Sequence, residues 1–169
     1  DMSLGVANAP ITVIEYASVS CAHCAAFNAE VMPVLKAKYI DTGKVRYIYR
    51  EFLTPPQNVS AAGILLARCS GKDNYFKVVD AVMRAQPEMF EDGTTQKAIP
   101  VLLRIAKSVG MSEKDFNTCV TNADALTQLQ AKVDRYTKDD HIEGTPAFFI
   151  NGKPLQRIKG DISDFDTAF

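Results

Sequence analysis

Ile11-Thr12-Val13-Ile14-Glu15-Tyr16-Ala17, followed after three residues by Cys21-Ala22-His23-Cys24, is the stretch from which the rest of the chain can be read. Its first seven residues are β-branched and almost continuously apolar, as expected for a central strand covered on both faces. From Cys24 the period changes. Phe27, Val31, Val34, Leu35 and Tyr39 recur at steps of three and four, which predicts a helix facing a core, with Pro33 kinking it. Gly43 closes that helix, and Val45-Arg-Tyr-Ile-Tyr49 alternates as a second strand. Strand, helix and strand in this order favour a parallel pair joined by a crossover helix. Pro55-Pro56 ends the unit.

Between Asn58 and Asp140 the pattern is helical, punctuated by Gly71, Pro87, Gly93 and Gly110. Ser112-Glu-Lys-Asp115 reads as a capping box with the shorter acid, leading into Phe116, Cys119 and Val120. The last helix of the block places Leu126, Leu129, Val133 and Tyr136 on one face. After Gly144-Thr145-Pro146 comes a short strand, Ala147-Phe-Phe-Ile150. The turn Asn151-Gly152 then predicts an antiparallel partner over Leu155 to Ile158, and a helix starts at Asp161. The fold class is therefore α/β, a sheet interrupted by a large inserted helical subdomain. Residues 1–57 and 141–169 form the α/β part, and residues 58–140 form the insert.

The 169 residues suit one domain carrying an insertion. Apolar residues make up 47% and charged residues 23%, with a net charge of -1, the composition of an ordinary soluble globular protein. No basic cluster is present to neutralise phosphates, so nucleic acid is not an expected partner. No apolar run approaches the roughly 20 residues that span a bilayer. The chain begins at Asp1 without a charged-then-apolar leader, a start that removal of a secretory signal and trimming of the chain would leave alike, so its ends do not decide localisation.

Cys21 and Cys24 stand directly after a strand and in the first turn of a helix, the context that turns a common spacing into a redox hypothesis. There the free amide groups and the helix dipole favour an anion, so Cys21 becomes the stabilised, exchanging thiolate while Cys24 lies deeper. His23, between them, can add charge or a hydrogen bond and lower the thiol pKa further. That stabilises the dithiol form and makes the disulfide a stronger oxidant. The competing reading is half a zinc site. It lacks partners, because Cys69 and Cys119 are 50 residues apart and His141 is a single candidate to which we assign no role. Metal and cofactor are not required by the chemistry.

Glu15, inside an apolar strand, should have a raised pKa. Two readings stand side by side: proton exchange near the buried Cys24, or a structural pair with Arg46 or Arg50. Thr145-Pro146, before a short strand, is the place where a cis peptide bond would present a backbone edge beside the redox pair. Cys69 and Cys119 fall on the apolar faces of two helices. We favour a disulfide between them over two buried thiols, since an even cysteine count with one reactive and one distant pair suits an oxidising compartment.

The run from Ile11 through Cys-Ala-His-Cys, the long helical insert, and Gly-Thr-Pro-Ala-Phe-Phe-Ile-Asn-Gly resemble the DsbA family of bacterial periplasmic thiol-disulfide oxidoreductases over most of the chain. The resemblance implies a thioredoxin-like fold with a helical insertion. It implies Cys21 as nucleophile, Cys24 as buried partner, His23 as thiolate stabiliser, Thr145-Pro146 as a cis-proline loop and Glu15 as the buried acid. It further implies a monomeric periplasmic or secreted disulfide donor to reduced client proteins, re-oxidised by a DsbB-like membrane quinone reductase. Ala22 departs from the proline of well-known members, which bears on oxidising strength, whereas the Cys69/Cys119 pair is similar to a subset with a helical-domain disulfide. The family usually ends in a full helix, so the chain is expected to be trimmed after Phe169. A reductase or isomerase would keep the same residues, a non-redox chaperone module would survive replacement of Cys21, and a κ-type glutathione transferase would not need Cys24.

Overall fold

A computed structural model describes residues 1–169. Five strands form one sheet in the order β1-β3-β2-β4-β5: β1 (Met2–Leu4), β2 (Ile11–Ala17), β3 (Val45–Glu51), β4 (Ala147–Ile150) and β5 (Lys153–Pro154). The β2–β3 pair is parallel, and the other three pairings are antiparallel. The central position of β2 accounts for its unbroken apolar run, because both of its edges are paired and both of its faces are covered. β1 carries no signal in the sequence beyond Met2 and Leu4; its pairing with β3 is a tertiary contact.

The crossover from β2 to β3 is one helical run broken at Val31. α1 (Ala22–Glu30) ends there, α2 (Met32–Leu35) begins with Pro33 in its first turn, and a π-helical turn follows over Lys36–Ile40. Proline tolerates a first turn and not a helix interior, which locates the break. Phe27, Val31 and Leu35 are buried as the period predicts, but Val34 is 43% exposed. The break at Val31 turns it away from the sheet.

Between β3 and β4 lie α3 (Gln57–Cys69), α4 (Tyr75–Arg84), α5 (Gln86–Met89), α6 (Ala98–Ser108), α7 (Glu113–Val120) and α8 (Ala123–Asp139). Ser112 caps α7 by accepting the Asp115 N–H at 3.1 Å. Along α8, Leu129, Val133 and Tyr136 are buried, whereas Leu126, expected on the same face, is 43% exposed beside a surface groove between α8 and α3. The main apolar core runs from Val13 and Tyr47 in the sheet through Phe27 to Leu66, Val82 and Leu102 in the helices, and Tyr16, Tyr136 and Ile142 form a small separate cluster. Gly63 permits a close approach by α3. A Cβ there would meet Val19 Cγ2 at 2.8 Å, so α3 can lie directly on the loop that follows β2.

The hairpin differs from the expected one. Its second strand is Lys153–Pro154, not Leu155–Ile158. A two-residue turn brings residue 153 opposite Ile150 at once, and after the Leu155 N–H bonds Phe148 O at 2.8 Å the chain leaves the sheet. Asp164 draws it away by accepting the backbone N–H groups of Ile158, Lys159 and Gly160. The final helix α9 (Ser163–Ala168) then seats Phe165 against Phe27 and Phe148.

Candidate active site

The segment Ser18–Ser20 joins the end of β2 to Cys21 at the start of α1 and belongs to neither element. Cys21 is the N-cap of α1. Its backbone is extended and its Sγ accepts the Cys24 backbone N–H at 3.2 Å, as serine or aspartate oxygens do at other helix starts. Cys21 is half-buried and Cys24 completely buried, and both are free thiols. The pair is strongly asymmetric. The Cys24 thiol, the Thr145 hydroxyl and the backbone N–H groups of Cys24 and His23 all stabilise a Cys21 thiolate, and although burial opposes them its pKa is lowered to about 6. Burial pushes the Cys24 thiol well up, reinforced by its bond to Cys21 and by the charge on Glu15.

His23 is exposed, and it is its backbone amide that stabilises the thiolate. Thr145 comes from the far side of the sequence but the same end of the sheet, because it precedes β4, whose Ala147 pairs with Tyr16 near the end of β2. Its carbonyl oxygen lies 3.5 Å from Cys21 Sγ, and the Thr145–Pro146 peptide bond is cis. His23, Phe27, Pro146, Phe148, Leu155 and Arg157 line a groove of about 900 Å³ that runs along β4 beside α1. His141 also faces this groove.

Glu15 is 2% exposed beneath this site, and burial raises its pKa to about 8, against the opposing effects of a hydrogen bond from the Tyr47 phenol and the positive charge of Arg157. The pairing with Arg46 or Arg50 does not form. Glu15 is in register with Tyr49, on the face that also carries Tyr47, whereas Arg46 and Arg50 sit opposite Thr12 and Tyr16 on the other face. Arg50 there donates to the Tyr16 hydroxyl at 2.7 Å and pairs with Asp1 and Asp140. The cation near Glu15 is Arg157, stacked over Phe27 and Phe148 at 5.2 and 5.3 Å. Strand parity alone would have pointed to Tyr47. Nothing in the sequence marks Arg157, which arrives from a loop.

The redox loop is also held by hydroxyls that the sequence did not single out. Buried Ser18 meets Ser60 of α3 at 2.7 Å and Thr54 at 2.9 Å, and Ser20 meets Thr54 at 2.8 Å. Cys69 and Cys119, at the far end of α3 and in α7, are joined by a disulfide.

A family model described as Thioredoxin matches residues 1–164. The chain belongs to the thioredoxin family. Within it, the fold is that of the DsbA proteins. The crystal structure of Wolbachia pipientis alpha-DsbA1 superposes with a TM-score of 0.86 and 28% identity, covering 99% of this chain and 88% of that one. BdbD from Bacillus subtilis, at 21% identity, shares the fold with a TM-score of 0.83 over 98% of this chain and 89% of that one. A Rickettsia bellii protein named "Putative protein-disulfide oxidoreductase" is 34% identical over 152 residues, 90% of this chain and 57% of the relative. The chain thus spans little more than half the length of the Rickettsia relatives it matches.

Proposed function

We propose that the protein is a thiol-disulfide oxidoreductase that donates a Cys21–Cys24 disulfide to reduced proteins outside the cytosol. The observation that carries this reading is the asymmetry of the pair: a half-buried Cys21 whose Sγ accepts the Cys24 N–H at a helix N-terminus, next to a completely buried Cys24. A client thiolate attacks Cys21 Sγ of the disulfide, the S–S bond breaks, and Cys24 leaves and takes up a proton. A second client thiolate then attacks the client sulfur of the mixed disulfide, and Cys21 leaves as a thiolate. Two electrons pass to the enzyme and one disulfide to the client. Stabilising the Cys21 thiolate favours the dithiol product and so drives the transfer towards the client.

In this reading Pro146 borders the groove that receives the client backbone, Thr145 stands beside Cys21, Glu15 exchanges the Cys24 proton, and His23 adds to the stabilisation of the thiolate. The enzyme acts as a monomer in the periplasm or outside the cell, with a DsbB-like quinone reductase of the membrane restoring its disulfide. Rickettsial and Bacillus relatives that carry disulfide oxidoreductase and disulfide bond formation names support the assignment.

The test is the equilibrium of the pair with glutathione, together with oxidation of a reduced client. A potential at about -120 mV with client oxidation marks a donor, and about -270 mV marks a reductant. A Cys21→Ser variant that still oxidised the client would overturn the mechanism. Recovery of a scrambled client without net oxidation would assign an isomerase instead.

A further inference from the structure

The segment Val19–Cys21 receives a side-chain amide from far along the chain. Gln86, the first residue of α5, donates from Nε2 to the Val19 carbonyl at 2.6 Å and to the Cys21 carbonyl at 3.2 Å. The amide is buried, with Gln86 8% exposed and Val19 completely enclosed. These bonds cross a sequence separation of 65 to 67 residues. A buried carbonyl without a donor costs free energy, so the amide has a structural duty at Val19. Its contact with Cys21 has another consequence. The Cys21 carbonyl also accepts the Ala25 N–H at 3.0 Å and belongs to the peptide that opens α1. That peptide sets the direction of the following amides, among them the His23 and Cys24 N–H groups that stabilise the Cys21 sulfur.

We propose that Gln86 is a positioning residue for the redox reaction, a clamp from the helical block that fixes the Cys21 peptide so that the amides opening α1 stay aimed at the Cys21 thiolate. The proposal rests on the thiol-disulfide reading above. A purely structural clamp would stabilise the dithiol and disulfide forms alike and would leave the equilibrium between them unchanged. A clamp that aims donors at an anion stabilises the dithiol form selectively, because only that form carries the thiolate.

Gln86→Met keeps the length and bulk of the side chain and removes both donors. The purified protein is compared with Gln86→Met and with Leu102→Ala, a core truncation in α6 that lowers stability without touching the loop. Thiolate absorbance is followed across pH, and the pair is equilibrated with glutathione. For Gln86→Met the Cys21 midpoint is expected to rise by about half a pH unit or more, and the pair to become less oxidising by about threefold or more, with Leu102→Ala unchanged in both. Gln86→Asn, which keeps the amide but withdraws it by one methylene, is expected to shift both in the same direction by less, and it is read by the same criteria if Gln86→Met does not fold. Variants that lose stability yet keep the parent midpoint and equilibrium would overturn the proposal. A parent protein that does not equilibrate with glutathione would overturn the thiol-disulfide reading instead.

Discussion

Tyr47 donates its phenolic hydrogen bond to the carboxylate of Glu15, from the residue two before the one in register with that acid, so that an acid and a phenol share the floor beneath Cys24. Burial keeps Glu15 protonated up to about pH 8, whereas its ordinary value is 4.5. The folded protein therefore holds one more proton than the unfolded chain between these values. This contribution to stability is complete below pH 4.5 and is lost as pH rises through about 8, amounting to at most about 5 kcal/mol. Urea unfolding of Glu15→Gln from pH 5 to 8 should show a flatter pH dependence than the parent. Tyr47→Phe, which removes a bond that lowers the pKa, should carry the falling limb to higher pH. Parallel pH profiles for the parent and Glu15→Gln would show that this acid is not buried protonated.

The Cys21 thiolate should absorb with a midpoint at about pH 6. Because the Cys24 thiol is its strongest stabiliser, Cys24→Ala is expected to raise that midpoint, and Thr145→Val to raise it by less. In exchange with a client disulfide, Cys24→Ser should accumulate mixed disulfides through Cys21, visible on non-reducing gels, since the neighbouring thiol that would expel the client by attack on Cys21 is gone. A midpoint that stays fixed in Cys24→Ala would contradict the proposed stabilisation.

For His23 the expected effect is limited. His23→Ala should make the pair less oxidising, but by under about tenfold, because the backbone amide that faces the sulfur survives the substitution. A glutathione equilibrium measures this directly, and a larger loss would place the imbalance on the imidazole.

The Cys69–Cys119 bond closes a loop of 50 residues. In the chain-entropy model such a link is worth about 4 kcal/mol, so the Cys69→Ala, Cys119→Ala double variant should unfold at markedly lower denaturant. Its Cys21 midpoint should not change, as the disulfide ties the end of α3 to α7 and leaves the redox loop untouched.

Glu51, 2% exposed at the end of β3, is gripped by Arg68 at 2.6 and 2.8 Å and by the Tyr75 hydroxyl at 2.9 Å, which fastens α3 and α4 to the sheet. Arg68→Met would leave a buried carboxylate with Lys132 at 3.7 Å as its remaining cation. The expected loss is about 3 kcal/mol, measurable by thermal or urea unfolding. An unchanged midpoint would mean that Lys132 closes in to replace it.

Local chemistry made much of this protein legible in its sequence. A β-branched run followed by a change of period located β2 and α1, because alternation and helical repeat are properties of neighbouring residues. The place of Cys21 at a helix start, and the cost of an acid among Ile14, Tyr16 and Ala17, followed in the same way. Only the tertiary structure decided which groups arrive at those positions. Tyr47 rather than an arginine meets Glu15 because strand register selects a face. Gln86 and the Ser60 and Thr54 hydroxyls reach the redox loop, and Arg157 reaches the neighbourhood of Glu15, from elements distant in sequence, and the short β5 ends where Asp164 captures the backbone. A polar side chain's partner across the core depends on how elements pack, and no local pattern of residues carries that information.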